Sequence, residues 1–172
     1  MKLLKQIIRL LQQKIVGDIR WGIKNGLKCG DGVTSMGGAS FGSEPYLVEL
    51  GNRVRLSTEV SFVTHDGGTY AFRREKGNED IVRFGRIVVG DDTFIGMRAI
   101  IMPGVTIGRN CVVGAGSIVT RDVPDRCVVA GIPARIICTT DEYAQKCRAM
   151  MPENFDFNQM KKNKREYLTK MY

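Results

Sequence analysis

Histidine is almost absent from this chain: one occurs in 172 residues, His65. Every mechanism that needs two or more imidazoles from the same chain is thereby excluded. The five cysteines, Cys29, Cys111, Cys127, Cys138 and Cys147, form no C-x-x-C pair and leave an odd count. That argues against a disulfide framework or a thiolate zinc site and fits a reducing cytosol. Long apolar runs are lacking too. In the first twenty residues Lys5, Arg9 and Lys14 interrupt the aliphatic side chains, so neither a signal-peptide core nor a spanning segment is predicted. A soluble, cytoplasmic protein is expected. The basic clusters contain no interleaved aromatics and no nucleic-acid-binding module is visible, so no nucleic-acid partner is expected.

What is present describes a globular domain, with 43% apolar and 26% charged residues. The net charge of +8 gathers at the two ends, which favours an anionic partner without choosing one. Residues 1–20 are predicted as an amphipathic helix, because Leu3, Leu4, Ile7, Ile8, Leu11 and Ile15 form one stripe opposite Lys and Arg. Packing against the body or a sister subunit is the first reading of that stripe, and peripheral contact with an anionic membrane, at its inner face, is the second.

The middle of the chain repeats every six residues. From Val89 it reads VGDDTF, IGMRAI, IMPGVT, IGRNCV, VGAGSI, VTRDVP. The first position is always aliphatic and the fifth is small or β-branched. Earlier copies start at Leu50 (LGNRVR, LSTEVS, FVTHDG), and residues 27–46 carry a fainter, glycine-rich version. Six matches neither the helical nor the strand period. It fits a short strand and a tight turn, with glycine letting the backbone bend. Three such units close a triangular coil, and coils stack into a solenoid around a column of aliphatic side chains. Glycine is not at every third position, which excludes collagen. Residues 67–86 break the period and are expected to form a long charged loop between coils, of a length that is usually functional. Residues 21–138 are thus read as the solenoid with this insertion. Residues 139–172 are read as a helical basic tail, opened by Thr139 and Glu142 at capping-box spacing.

The run from Val89 to Val123, closing with Ala130-Gly131-Ile132-Pro133-Ala134-Arg135, resembles the hexapeptide-repeat acyltransferases. More narrowly, EPYLVELGNRV followed by VSFVTHDGGTYAFR is similar to the bacterial sugar O-acetyltransferases of capsule and lipopolysaccharide synthesis. The resemblance covers about residues 27–138. It implies an all-β fold, a left-handed parallel β-helix with terminal helices, which is an exception to the right-handed crossover rule. It also implies a homotrimer with active sites between subunits, and acetyl-CoA as co-substrate with no metal.

Acyl transfer to a sugar hydroxyl needs a base with a pKa near neutrality, and imidazole is the natural one. The resemblance assigns that role to His65, which precedes the long loop. Asp66 and Glu44 are rival carboxylates for orienting it or binding substrate. Neighbouring strand residues point to opposite faces, so an Asp66–His65 pair is not assured, whereas stacked coils bring Glu44 close. Arg73, Arg74 and Arg83 are candidates for a phosphate or carboxylate on the acceptor, and Tyr70 and Phe72 for stacking on its ring. By the same resemblance, pantetheine runs beside the later coils along Ala115, Gly116 and Ser117. Gly131, Pro133 and Ala134 flank the nucleotide end, and Arg135, with Arg121 or Lys146, meets its phosphates.

Three rival functions stay in view. The trimeric zinc carbonic anhydrases that share this fold need three histidine ligands, which one histidine per chain does not supply in that arrangement. N-acetylation of an amino sugar nucleotide would use the same base. A non-catalytic solenoid scaffold would need neither the lone histidine nor the terminal turn.

Overall fold

The computed structural model describes residues 17–171; the amphipathic stripe of residues 2–16 lies outside them. Two units follow one another, 1–140 and 141–172. The first opens with helix α1 (Asp18–Lys24). Thirteen short strands come next: β1 (Lys28–Cys29), β2 (Thr34–Ser35), β3 (Val48–Leu50), β4 (Arg55–Leu56), β5 (Ser61–Phe62), β6 (Ile87–Val89), β7 (Phe94–Ile95), β8 (Ile100–Ile101), β9 (Thr106–Ile107), β10 (Val112–Val113), β11 (Ile118–Val119), β12 (Cys127–Gly131) and β13 (Ala134–Thr139).

These strands fall into three sheets, β1-β3-β6-β9, β2-β4-β7-β10-β12-β13 and β5-β8-β11, and every pairing except β12 with β13 is parallel. From β1 to β12 the chain visits the first, second and third sheets in rotation, with single bridges (Ser40 to Ser61, Ile107 to Val123) standing in where a strand is missing. Each circuit is therefore one coil stacked on the last. Phe94 pairs with Val112 and Ile100 with Ile118, so a regular coil is 18 residues, three hexads. The first coil takes 21, its additional residues making the 3-10 turn Pro45–Leu47. Ser61 pairs with Ile100, 39 positions on, because a long insertion leaves after β5.

The hexad pattern explains the core. First-position residues Leu50, Leu56, Phe62, Val89, Ile95, Ile101, Ile107, Val113 and Val119 all point inward and are at most 2% exposed. Fully burying one such side chain stabilises by roughly 1.5–3 kcal/mol. Fifth-position residues Val54, Val60, Thr93, Ala99, Val105, Cys111, Ser117 and Val123 are buried as well, filling the corners where only small or branched side chains fit.

The repeat glycines act differently from the sequence expectation. The left-handed backbone positions in the corners are often not glycine: Arg53, Glu59, Asp92, Arg98, Asn110 and Arg126 have φ between 54° and 60°. Each turns its N–H onto a carbonyl of the coil below, as Asp92 does onto Asn52 (2.9 Å) and Asn110 onto Asp91 (2.8 Å). The repeat glycines are needed because coils approach too closely there for a Cβ. One added at Gly90 would lie 2.6 Å from the Arg109 nitrogen and 2.7 Å from the Gly108 carbonyl carbon.

Both ends of the coil stack are closed. At the start, Asp18 of α1 accepts from the Ser35 hydroxyl and the Ala39 N–H, both at 2.9 Å, and Trp21 is buried. At the finish, β12 and β13 form an antiparallel hairpin burying Val128 and Val129. Helix α2 (Thr140–Ala149) leads into the second unit, which contains α3 (Phe157–Lys162) and α4 (Lys164–Met171). In that unit Phe155 packs edge-on against Tyr167, and no residue of the three helices is buried. Among the described residues no helix is long and apolar enough to cross a membrane.

Candidate active site

His65 lies just beyond β5, at the corner between the third and first sheets. Strand alternation sends Phe62 and Thr64 inward and Val63 and His65 outward; Thr64 is buried while the His65 side chain is 45% exposed. The long first coil places Glu44 in the same register one turn below, the 21-residue offset that also bridges Ser40 to Ser61. Its Oε2 stands 3.0 Å from His65 Nδ1, and the Thr64 hydroxyl donates to that same oxygen at 2.5 Å. Ser43 Oγ is 3.4 Å from Nδ1. Burial of Glu44 works against its ionisation, but hydrogen bonds from Thr64, His65 and Ser43, with the charge of His65, outweigh it and hold the carboxyl below the usual range.

Glu44 is therefore ionised at neutral pH, and an anionic acceptor fixes the tautomer: Nδ1 carries the proton and donates to Glu44. In the neutral ring Nε2 then carries the lone pair, so the exposed edge offers one basic nitrogen.

Asp66 is not part of this pair. Its carboxylate accepts from the Gly68 N–H (2.9 Å), capping the 3-10 turn Gly67–Ala71, and lies 3.6 Å from Arg83. The loop it opens is closed at its neck, where Asp66 N–H donates to Arg83 O (2.8 Å) and Gly85 N–H to Thr64 O (2.9 Å). The insertion thus runs over residues 66–84, slightly earlier than the sequence break suggests. Within it Arg73 donates to Ile81 O (3.0 Å) and the Thr69 hydroxyl (2.9 Å), so this arginine holds the loop's shape. Arg74 sits over the exposed ring of Tyr70, 6.0 Å from its centroid.

The residues expected along the donor groove come together in part. Ser117 Oγ accepts from the Gly131 N–H (3.2 Å), joining the Ala115–Gly116 corner to the terminal turn of Gly131 and Pro133. Ala115, Gly116, Gly131 and Pro133 are exposed, and nothing lies within 4 Å of where a Gly116 Cβ would be. That open, small-residue surface fits the close approach of an extended amide chain. Ser117 is wholly buried, and its N–H, carbonyl and hydroxyl are all bonded inside the coil, so its side chain braces the corner. Arg135 donates to Ala134 O (3.0 Å) and is exposed, as is Arg121; Lys146 belongs to α2. His65 follows β5 and this surface precedes β11, the two outer strands of the third sheet.

Three residues of the histidine site escape the sequence reading: Ser43, Thr64 and Phe84. Phe84 forms an isolated bridge with His65, their ring centroids 5.8 Å apart.

Comparison with known proteins adds to this geometry. Residues 86–121 match the family described as the hexapeptide repeat of succinyl-transferase. Protein CapG of Staphylococcus aureus is 41% identical over 155 residues, 89% of this chain and 86% of its own length. The chain belongs to the hexapeptide-repeat acyltransferase family. That makes it an enzyme of acyl transfer. Galactoside O-acetyltransferase of Escherichia coli strain K12 is 38% identical over 94 residues, 55% of this chain but only 45% of that relative. Among solved structures, a maltose O-acetyltransferase from Clostridium difficile 630 aligns with a TM-score of 0.54 at 25% identity, covering 69% of this chain and 72% of that one.

Proposed function

We propose that this family member transfers an acetyl group from acetyl-CoA to a hydroxyl of a sugar, by direct attack on the thioester, with His65 as general base and Glu44 as the group that orients it. The observation that carries this reading is the exposed His65 ring held through Nδ1 by an ionised carboxylate 3.0 Å away. A sugar hydroxyl is almost wholly protonated at neutral pH, and Nε2 takes that proton as the oxygen bonds to the acetyl carbon. The carbon–sulfur bond then breaks, and His65 returns the proton to the departing thiolate. Glu44 keeps the ring in the productive tautomer and stabilises the imidazolium formed between these steps, as the carboxylate of a Ser-His-Asp triad does. The named activities of the galactoside and maltose O-acetyltransferases support a sugar hydroxyl as acceptor.

The remaining parts belong to the same reading. The coil is left-handed, as in the family. The pantetheine arm lies along Ala115 and Gly116, with Gly131, Pro133 and Ala134 at the nucleotide end and Arg135, Arg121 or Lys146 at its phosphates. A homotrimer then supplies the base from one subunit and the donor groove from the next, which accounts for their separation across the third sheet. Within the loop, Arg74, Tyr70 and Arg83 remain the residues exposed towards an acceptor, with Asp66 as a further polar group.

The test is thiol release from acetyl-CoA in the presence of a panel of sugars, with mass spectrometry of the product. An ester on a hydroxyl sugar, lost in a His65→Ala variant that still binds coenzyme A, is the expected result. Thiol release that no sugar accelerates would overturn the proposal.

A further inference from the structure

Phe84 is exposed beside His65, whereas the two aromatic rings stacked in the third corner are buried. Phe41 and Phe62 stack inside the third corner with centroids 5.4 Å apart and are at most 1% exposed, whereas Phe84 is 55% exposed. Its backbone is nonetheless fixed. It bridges to His65, Arg83 on one side accepts from Asp66, and Gly85 on the other donates to Thr64. Gly85 is pressed against the coil above, since a Cβ there would fall 2.6 Å from the Pro103 carbonyl carbon. The loop thus brings an apolar ring beside His65, tilted 54° to the imidazole at 5.8 Å.

We infer that Phe84 is the platform on which the acceptor's ring rests, and that the acceptor is a neutral pyranose. This rests on the acetyl-transfer reading above. A pyranose carries axial C–H bonds that give one face of the ring an apolar surface, and an aromatic face is its natural counterpart. Stacking there fixes the ring while leaving its edge hydroxyls free to meet Nε2, the positioning that converts a collision into an oriented attack. Charge points the same way. The two ionic residues at the neck, Asp66 and Arg83, pair with each other. The loop as a whole sets Arg73, Arg74, Lys76 and Arg83 against Asp66, Glu75, Glu79 and Asp80, and Arg73 is engaged in holding the loop. A uronic acid finds no net positive field beside the platform. Phe84 is therefore a specificity-determining residue, separate from the base and its carboxylate.

The experiment measures KM for methyl galactoside, methyl glucoside, methyl glucuronoside and the open-chain galactitol at saturating acetyl-CoA, in the full-length protein and in Phe84→Ala, Phe84→Leu and Phe84→Tyr. A neutral pyranoside should be the best acceptor. The Ala and Leu variants should raise its KM by about 5- to 10-fold, the scale of one lost aromatic contact. KM for acetyl-CoA, acceptor-independent hydrolysis and melting temperature should hold, galactitol should change little, and Tyr should behave as the wild type. A wild-type KM in Phe84→Leu, or a preference for the glucuronoside, overturns the inference while the acetyl-transfer reading stands. Failure of the wild type to acetylate any of these sugars overturns both.

Discussion

Glu44 lies one coil below His65 and holds its Nδ1 at 3.0 Å, although 21 residues separate them in sequence. The hydroxyl of Thr64, next to His65 in the chain but turned into the core, secures the same carboxylate oxygen from the other side. The pairing of Glu44 with His65 is thus set by coil stacking, which no local motif encodes.

Replacing His65 with Ala should leave folding and coenzyme A affinity near wild type while reducing turnover at least about a hundredfold, the usual scale of general-base catalysis. Steady-state rates and calorimetric coenzyme A binding check this; an undiminished kcat removes His65 from the chemistry.

Glu44→Gln keeps shape and removes charge. Turnover should fall by at least about tenfold through loss of the preferred tautomer. The stability effect has a definite sign. Because the folded-state pKa of Glu44 lies below its ordinary value of about 4.3, its ionised form stabilises the fold fully above that value and progressively less as pH falls through the folded pKa. The wild type should therefore melt higher than the variant at pH 7, and the gap should narrow below about pH 4. A gap independent of pH between 7 and 3 contradicts the lowered pKa of the Glu44 carboxyl.

Gly90→Ala and Gly104→Ala separate the two reasons for glycine in this fold. At Gly104, φ is 83° and a Cβ meets nothing within 4 Å, so the cost is the backbone term alone, about 1–2 kcal/mol. At Gly90 a Cβ runs into the backbone of Gly108 and Arg109, which cannot move without opening the coil stack, and the loss should be larger. Denaturant unfolding of both variants tests the order; the reverse ranking refutes it.

Arg135→Ala should weaken coenzyme A binding and affect desphospho-coenzyme A less, if its guanidinium meets the terminal phosphate. Equal losses for the two ligands, measured by titration, would remove that assignment.

The hexad register was readable residue by residue: every first-position aliphatic from Leu50 to Val119 is in the core. The choice between Asp66 and Glu44 was not. With a uniform coil of 18 residues the neighbour below His65 would have been Leu47. Only the 3-10 turn Pro45–Leu47 lengthens the coil enough to bring Glu44 there. Ser117 sits beside two exposed small residues, but as a fifth hexad position it points inward. Phe84 carried no signal, because only closure of the loop puts it beside His65.

The neck that joins Thr64 and Asp66 to Gly85 and Arg83 has one further result. The segment leaves and re-enters the coil at positions already bonded to each other, so its length and composition leave the strand register above and below unaltered. It behaves as an interchangeable cassette. Residues 67–83 are therefore exchangeable, in evolution or at the bench, while the coil scaffold and the His65–Glu44 pair stay untouched.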